Sequence, residues 1–377
     1  MHPENTQLPK NKILSLESLR GFAAISVAFY HFRVNSHFQN EFFLNAWLMV
    51  DFFFVLSGFV IALNYQSKIS SLSHFQTFQY KRFLRLYPLH LIMLTAFLFL
   101  ELIKYFIEIN YDLVGTTPAF SLNNFSSFAL NFLLLQNWFL EDLTYNVPSW
   151  SISAEFYTYA IFGCISLAFK NSVFRVIFSS IILILISGLI LLNIGMGTDN
   201  IAGPIRCIFS FFIGVITFNL YNRYNLREKI SSSFFSVLMF VLCIFLVALL
   251  GKDKYGIVIL MPIFFSITLL VTLATKESTI LIRALSHPKF VYLGTISYGI
   301  YMIHFFIWWC IRQFLILFLN VEDYLDENGM TYIDFENKYF ADFLSLGGIA
   351  IIIFMSHLSY KYIEKRFYVK KFSYTQT

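Results

Sequence analysis

Arg20 and His31 stand eleven residues apart in a stretch that is otherwise mostly apolar. That spacing takes an α-helix about 20° past three full turns, so both side chains leave the same face, about 16 Å apart along the axis. An arginine at the mouth of such a face can anchor an anion, and an imidazole further in can serve as a general base. A snorkelling arginine and a hydrogen-bonded bundle histidine are the plainer alternative. Asp51 follows in Asp51-Phe52-Phe53-Phe54-Val55-Leu56-Ser57-Gly58-Phe59. A carboxylate in so apolar a run needs a partner. The short connection behind it brings Asp51 back toward the depth of His31, where it could hold the imidazole in one tautomer. A backbone or hydroxyl donor would be the structural alternative.

Arg82 and Arg85 share one helical face at i and i+3 in Lys81-Arg82-Phe83-Leu84-Arg85. Forked guanidiniums at the cytoplasmic end of a span suit phosphates, although a basic flank is also common there. Asn146-Val147-Pro148-Ser149-Trp150 reads as a helix start on the outer side, with Glu155 just inside it. Trp150 offers a flat apolar face and an indole donor. Glu155 is expected either to accept a hydrogen bond or to pair with Arg206, near the outer end of a later span. His304, in Ser297-Tyr298 through His304, is expected to line the same cavity as His31. His90 and His357 lie in apolar stretches without a motif and read as structural. Cys164, Cys207, Cys243 and Cys310 each sit in an apolar run and read as buried, inert thiols. No His, Cys, Asp or Glu spacing suggests a metal site, so no metal cofactor is expected.

These residues need membrane-spanning helices to position them. The chain has 377 residues, 58% of them apolar and only 13% charged, with 47 Phe. Soluble domains carry about 25% charge. The expected fold class is therefore an all-α polytopic membrane protein. Ten stretches are long and apolar enough to span, near 15–34, 42–64, 83–103, 150–169, 173–194, 203–222, 233–250, 256–275, 290–319 and 340–361. An eleventh, 125–140, carries Asn131, Gln136 and Asn137 and is read as re-entrant or interfacial. With both termini in the cytoplasm, twenty of the 27 lysines and arginines fall on the inner side. Only Arg33, Lys104, Lys252, Lys254 and Lys338 fall outside, and Arg206 and Arg312 lie within spans. The acidic residues Glu322, Asp323, Asp326, Glu327, Asp334 and Glu336 gather in one outer loop. This divides the chain into a cytoplasmic segment 1–14, a membrane domain 15–367 and a cytoplasmic tail 368–377. No cleavable signal and no internal repeat is visible. The basic residues form no binding face, so no nucleic-acid partner is expected; the oligomeric state is left open.

In order along the chain, Glu17-Ser18-Leu19-Arg20-Gly21 with His31, Phe53-Phe54-Val55-Leu56-Ser57-Gly58-Phe59, Arg82-Phe83-Leu84-Arg85, Trp150-Ser151 with Glu155, Ser297-Tyr298 through His304, and Ile363-Glu364 resemble the integral membrane acyltransferase family 3. The likeness runs from about Leu14 to Phe367. It implies a bacterial inner-membrane O-acyltransferase, here a stand-alone member without the fused extracytoplasmic hydrolase-like domain of some relatives. It implies transfer of an acyl group, usually acetyl, from cytoplasmic acyl-coenzyme A as co-substrate. The acceptor would be a sugar hydroxyl of a surface polysaccharide or its lipid-linked precursor. On that reading His31 is the catalytic base and Asp51 its orienting partner, and Arg20, Arg82 and Arg85 bind the donor. Trp150, Glu155, Arg206 and His304 lie toward the acceptor. A proton-coupled transporter or flippase of an anionic sugar is the competing class, since intramembrane His, Asp, Glu and Arg also suit proton relays.

Overall fold

The computed structural model describes residues 13–112, 117–325, 331–335 and 337–368. Most of the segments 1–14 and 368–377, together with Asp326, Glu327 and Glu336, lie outside the described residues.

Helices occupy every stretch expected to span. We number them α1 Leu14–Tyr30, α2 Met49–Tyr65, α3 Leu72–Tyr111, α4 Trp150–Ala168, α5 Val173–Ile194, α6 Ala202–Arg223, α7 Phe234–Leu250, α8 Met261–Ala274, α9 Ser297–Leu319 and α10 Lys338–Ser359. Among the described residues, seven helical runs are long and apolar enough to cross a membrane: α3, α5, α6 and α9 by themselves, α2 and α8 with the short helical turns that precede them, and α10 with those that follow it. The others are α1 and α7, with 17 residues each, and α4, with 19. The segment 125–140 breaks into two short helices, Phe125–Phe132 and Gln136–Phe139, neither long enough to cross.

Two boundaries differ from expectation. Helix α3 has 40 residues, about 60 Å at 1.5 Å per residue, twice the thickness of a bilayer's apolar core. Its ends carry His74, Gln76, Gln79 and Lys81 on one side and Glu101, Lys104 and Glu108 on the other. Hydropathy stops at such residues, whereas helix propensity does not. Arg82 and Arg85 are consequently about three turns inside a helix rather than at its start. The apolar run 290–319 is also two helices, Pro288–Thr295 and α9, separated at Ile296.

Close backbone approach fixes the centre of the bundle. On α2, Asp51, Val55 and Gly58 share a face at i, i+4 and i+7. On α6, Arg206, Ser210 and Gly214 share another. A Cβ added to Gly58 would lie 1.9 Å from the Phe211 carbonyl oxygen, and one on Gly214 would lie 2.0 Å from that of Val55. The two helices therefore touch along their glycines, the contact small residues permit in membranes. Helix α1 packs against Pro288–Thr295, α9 and α2. Large apolar side chains of α3, α5 and α7, among them Phe99, Leu185, Leu189, Val241 and Phe245, point outward. This suits lipid rather than water.

The end of α1 is held by several ties. The hairpin Asp323–Leu325 with Thr331–Ile333 follows α9, and Ile333 bridges to Val34. Asn35 donates to Asp334 at 2.7 Å, and the His37 backbone N–H donates to Asp342 of α10 at 2.8 Å. The Trp308 indole of α9 donates to the Ala28 carbonyl at 2.7 Å, one of the orphan acceptors in the last turn of α1. Phe32 stacks on the same indole.

Candidate active site

Helices α1, α2, α3, α4 and α9 line a cavity that is partly open to the surroundings. Arg20, Arg82 and Arg85 line it, and Glu155 is the only carboxylate among its lining residues. These guanidiniums come from two helices and meet around one space, which the spacing of each motif could not show. Arg82 donates to the Tyr65 hydroxyl at 3.1 Å, with its guanidinium 5.2 Å over that ring. Its Nε is buried and has no hydrogen-bond partner among the described residues. Arg20 lies 3.7 Å from Glu17, a loose pair one turn away. The cavity thus combines an excess of positive charge with an unfilled, sealed donor, which favours an anionic guest.

Glu155 lies further along the same cavity. The Tyr159 hydroxyl donates to its Oε1 at 2.5 Å. The Ser57 hydroxyl is 2.8 Å from that of Tyr159, so Ser57 donates to Tyr159 and Tyr159 to the carboxylate. Tyr159 is at i+4 from Glu155, a proximity the sequence contained but the motif did not flag. Beyond Glu155 the lining includes Phe53, Ser151 and Tyr301. Tyr301 donates to the Pro148 carbonyl at 3.0 Å and lies 2.8 Å from the Ser151 hydroxyl. These bonds join the start of α4 to α9.

Three expected partnerships are corrected here. Asp51 does not orient His31. Its carboxylate receives Arg206 Nε at 3.0 and 3.1 Å, Arg206 Nη2 at 2.6 Å and the Ser210 hydroxyl at 3.0 Å. The cause is helical phase, because Asp51 occupies the face of α2 that lies against α6. Arg206 is therefore not the counter-charge of Glu155. It also donates to the carbonyls of Trp47 and Met196, and both members of the pair are buried. Trp150 is buried as well, with the Arg206 guanidinium 5.4 Å over its ring and Phe54 edge-on to it, so its face is not open to a sugar.

His31 caps the end of α1 and His304 faces it from α9. The Nε2 of His304 is 3.1 Å from the Nδ1 of His31. Each Nδ1 is also 3.1 Å from a carbonyl one turn back, Val27 for His31 and Ile300 for His304. His304 is fully buried and His31 half-buried. Neither is among the cavity's lining residues. Tyr301 links the two places, since it lines the cavity and its ring centre is 5.8 Å from that of His304.

The remaining residues fall outside this arrangement. His90 is buried and lies 2.9 Å from the Asn131 carbonyl, and His357 is 2.5 Å from the Tyr292 hydroxyl. Cys207 and Cys243 are buried, but Cys164 is exposed and Cys310 half-buried, so the expectation of four buried thiols does not hold. Among the described residues, no three His, Cys, Asp or Glu side chains are grouped to hold a metal ion.

Comparison with known proteins agrees with this architecture. The family described as "Acyltransferase domain" matches residues 13–359. The acyltransferase MdmB of Streptomyces mycarofaciens is 33% identical over 173 residues, 43% of this chain but only 40% of that protein's length. A putative acetyltransferase, ORF330 of Acidianus two-tailed virus, is 25% identical over 317 residues, covering 80% of this chain and 85% of its own. No solved structure matches. A match over nearly the whole membrane bundle places the chain in the integral membrane acyltransferase family 3.

Proposed function

We propose that the protein transfers an acyl group, acetyl foremost, from acyl-coenzyme A to a sugar hydroxyl of a surface polysaccharide or its lipid-linked precursor. The observation that carries the donor is the cavity in which Arg20, Arg82 and Arg85 surround one space with a single carboxylate, Arg82 keeping an unbonded, buried Nε. Coenzyme A is a polyanion with a long, thin arm, and it suits a cationic mouth leading inward. The arginine end then faces the cytoplasm of a bacterial inner membrane, with both termini on that side.

In this reading the thioester passes Phe53 and Tyr301 to meet the acceptor beside His31. The unprotonated Nε2 of His31 takes the proton of the hydroxyl as its oxygen attacks the thioester carbonyl. The tetrahedral intermediate collapses by breaking the C–S bond. The proton on His31 passes to the departing sulfur, giving free coenzyme A and the sugar ester. Glu155, held by Tyr159, lies between the arginines and the acceptor side and offers an acceptor to sugar hydroxyls.

The test is transfer of label from [acetyl-¹⁴C]coenzyme A to the isolated surface glycan of the producing strain. Wild-type protein should label the glycan. His31→Ala should lose about 10²–10⁴-fold, the usual contribution of a general base. Wild-type labelling by that variant would remove His31 from the chemistry. No labelling by the wild type, with acetyl-coenzyme A bound, would overturn the acceptor class.

A further inference from the structure

The hydrogen bonds of the imidazole pair can be satisfied together in only one neutral arrangement. Carbonyl oxygens accept and never donate. Ile300 O therefore requires a proton on His304 Nδ1, at 3.1 Å, and Val27 O requires one on His31 Nδ1, also at 3.1 Å. A neutral His304 then has a bare lone pair on Nε2, which faces the Nδ1–H of His31 at 3.1 Å. Were His304 Nε2 protonated as well, two N–H groups would confront each other. The proton on His31 Nδ1 is thus shared between a backbone carbonyl and His304, and the Nε2 of His31 carries the free lone pair. That Nε2 makes no hydrogen bond among the described residues.

We propose that His304 is the positioning residue of the base: its Nε2 accepts the Nδ1–H of His31 and so leaves Nε2 of His31 to exchange the proton. This rests on the reading of His31 as the base. In catalytic triads a carboxylate performs this task. Here the intramembrane carboxylate expected to do so, Asp51, is committed to Arg206 and Ser210. Burial suits His304 to the task, because it has no exposed surface with which to meet substrate, whereas His31 has some. Aromatic neighbours restrict both rings. Phe305 is edge-on to His31 at 5.7 Å between centres, and Tyr301 lies 5.8 Å from His304. When Nε2 of His31 takes the hydroxyl proton, the cation forms beside the neutral lone pair of His304. The same proton returns from Nε2 to the thiolate, so the pair ends each turnover as it began.

The experiment measures turnover at saturating acetyl-coenzyme A, its apparent KM and the thermal midpoint for wild type, His31→Ala, His304→Ala, His304→Gln and His304→Met. His304→Ala should lower turnover about 10–100-fold, as loss of an imidazole's outer partner commonly does. The KM should stay within about twofold of wild type, an estimate that follows because the residue touches no substrate. His304→Gln, which restores an acceptor, should recover most of the loss, and His304→Met, which fills the space without one, should not. Equal turnover of the Gln and Met variants would overturn the proposal, and that comparison survives if the alanine variant does not fold. Turnover of His304→Ala near wild type with His31→Ala inactive would overturn it and leave the base reading intact. Wild-type turnover in His31→Ala would overturn the base reading itself.

Discussion

Asp51 is the residue at which position in the sequence and position in the structure suggest opposite outcomes for one mutation. As the orienting partner of His31, Asp51→Asn would leave a folded protein that cannot transfer. As the partner of Arg206, it is expected to weaken the fold. The structure gives the second case. Arg206 is 1% exposed and Asp51 0%. Three guanidinium contacts between 2.6 and 3.1 Å, with the Ser210 hydroxyl, fill most of the carboxylate's acceptor sites. Removing one charge from such a pair strands the other where it cannot be hydrated, at a cost of about 3–5 kcal/mol. That lowers the folded-to-unfolded ratio by between two and four powers of ten. For 377 residues, with about 2.1 cal/mol/K of unfolding entropy per residue as in soluble domains, the thermal midpoint falls by about 4–6 °C. Unfolding in detergent retains helices, so its entropy is smaller and the drop larger.

The assay is thermal denaturation of the purified protein in detergent, with acetyl-coenzyme A binding measured below the transition. Asp51→Ala should show the drop while keeping donor affinity. Asp51→Ala with Arg206→Met should regain at least half of it, because the double variant leaves no stranded charge. An Asp51→Asn protein with a wild-type midpoint and no transfer would refute this reasoning and return Asp51 to the chemistry.

Arg82→Ala should raise the apparent KM for acetyl-coenzyme A at least tenfold with little change in turnover at saturation, an estimate of one charge-assisted contact; unchanged KM with lower turnover would contradict a donor-anchoring role. Gly58→Ala should destabilise the protein by about 1–3 kcal/mol or more, since its methyl would meet the backbone of Phe211 and separate α2 from α6; an unchanged midpoint would mean that the contact is looser than described. In a protein lacking native cysteines, Cys at Ser73, Asn225 or Ser278 should be shielded from an impermeant thiol reagent in intact cells, and Cys at Asp142 should react. Protection at Asp142 would reverse the proposed sidedness of the segment after Phe139.

The helices were legible because lipid imposes a simple requirement: each span must satisfy its own backbone and present apolar side chains. Length and hydropathy therefore located helical stretches, of which seven are long and apolar enough to span among the described residues, and polar Asn131, Gln136 and Asn137 fall in 125–140, which forms two short helices. The ends of α3 were not legible, since hydropathy fades at Lys81 and Glu101 while the helix continues. Pairings between helices were harder still. Asp51 and Arg206 are 155 residues apart, and His31 and His304 are 273 apart. No local spacing encodes such contacts. Part of the answer was nonetheless present in helical phase. Asp51 shares its face with Val55 and Gly58, and Arg206 shares its face with Ser210 and Gly214. A small residue seven or eight positions from a buried charge marks the face along which another helix comes close. Reading Asp51 by depth alone directed it to His31, whereas reading it by phase directs it to α6.

Buried ionisable groups in this bundle also divide by whether their hydrogen-bonding capacity is filled. Asp51 and Arg206 satisfy each other and two backbone carbonyls, and nothing in their surroundings requires a guest. Among the described residues, Arg82 keeps an unbonded Nε beside a cavity lined by two more arginines, and His31 makes no hydrogen bond through Nε2. Arg33 and Arg312 also carry unbonded Nε atoms, but neither lines the cavity. A sealed, unmet donor costs about 1–3 kcal/mol and more for a charged group. Such a cost persists most readily where a ligand repays it during function. Two of the unmet groups bear on the cavity: Arg82, which lines it with Glu155, Phe53 and Tyr301, and the imidazole pair, which Tyr301 links to it. An acyl carrier bound through its phosphates and extending past Tyr301 would satisfy the first and bring its thioester to the second.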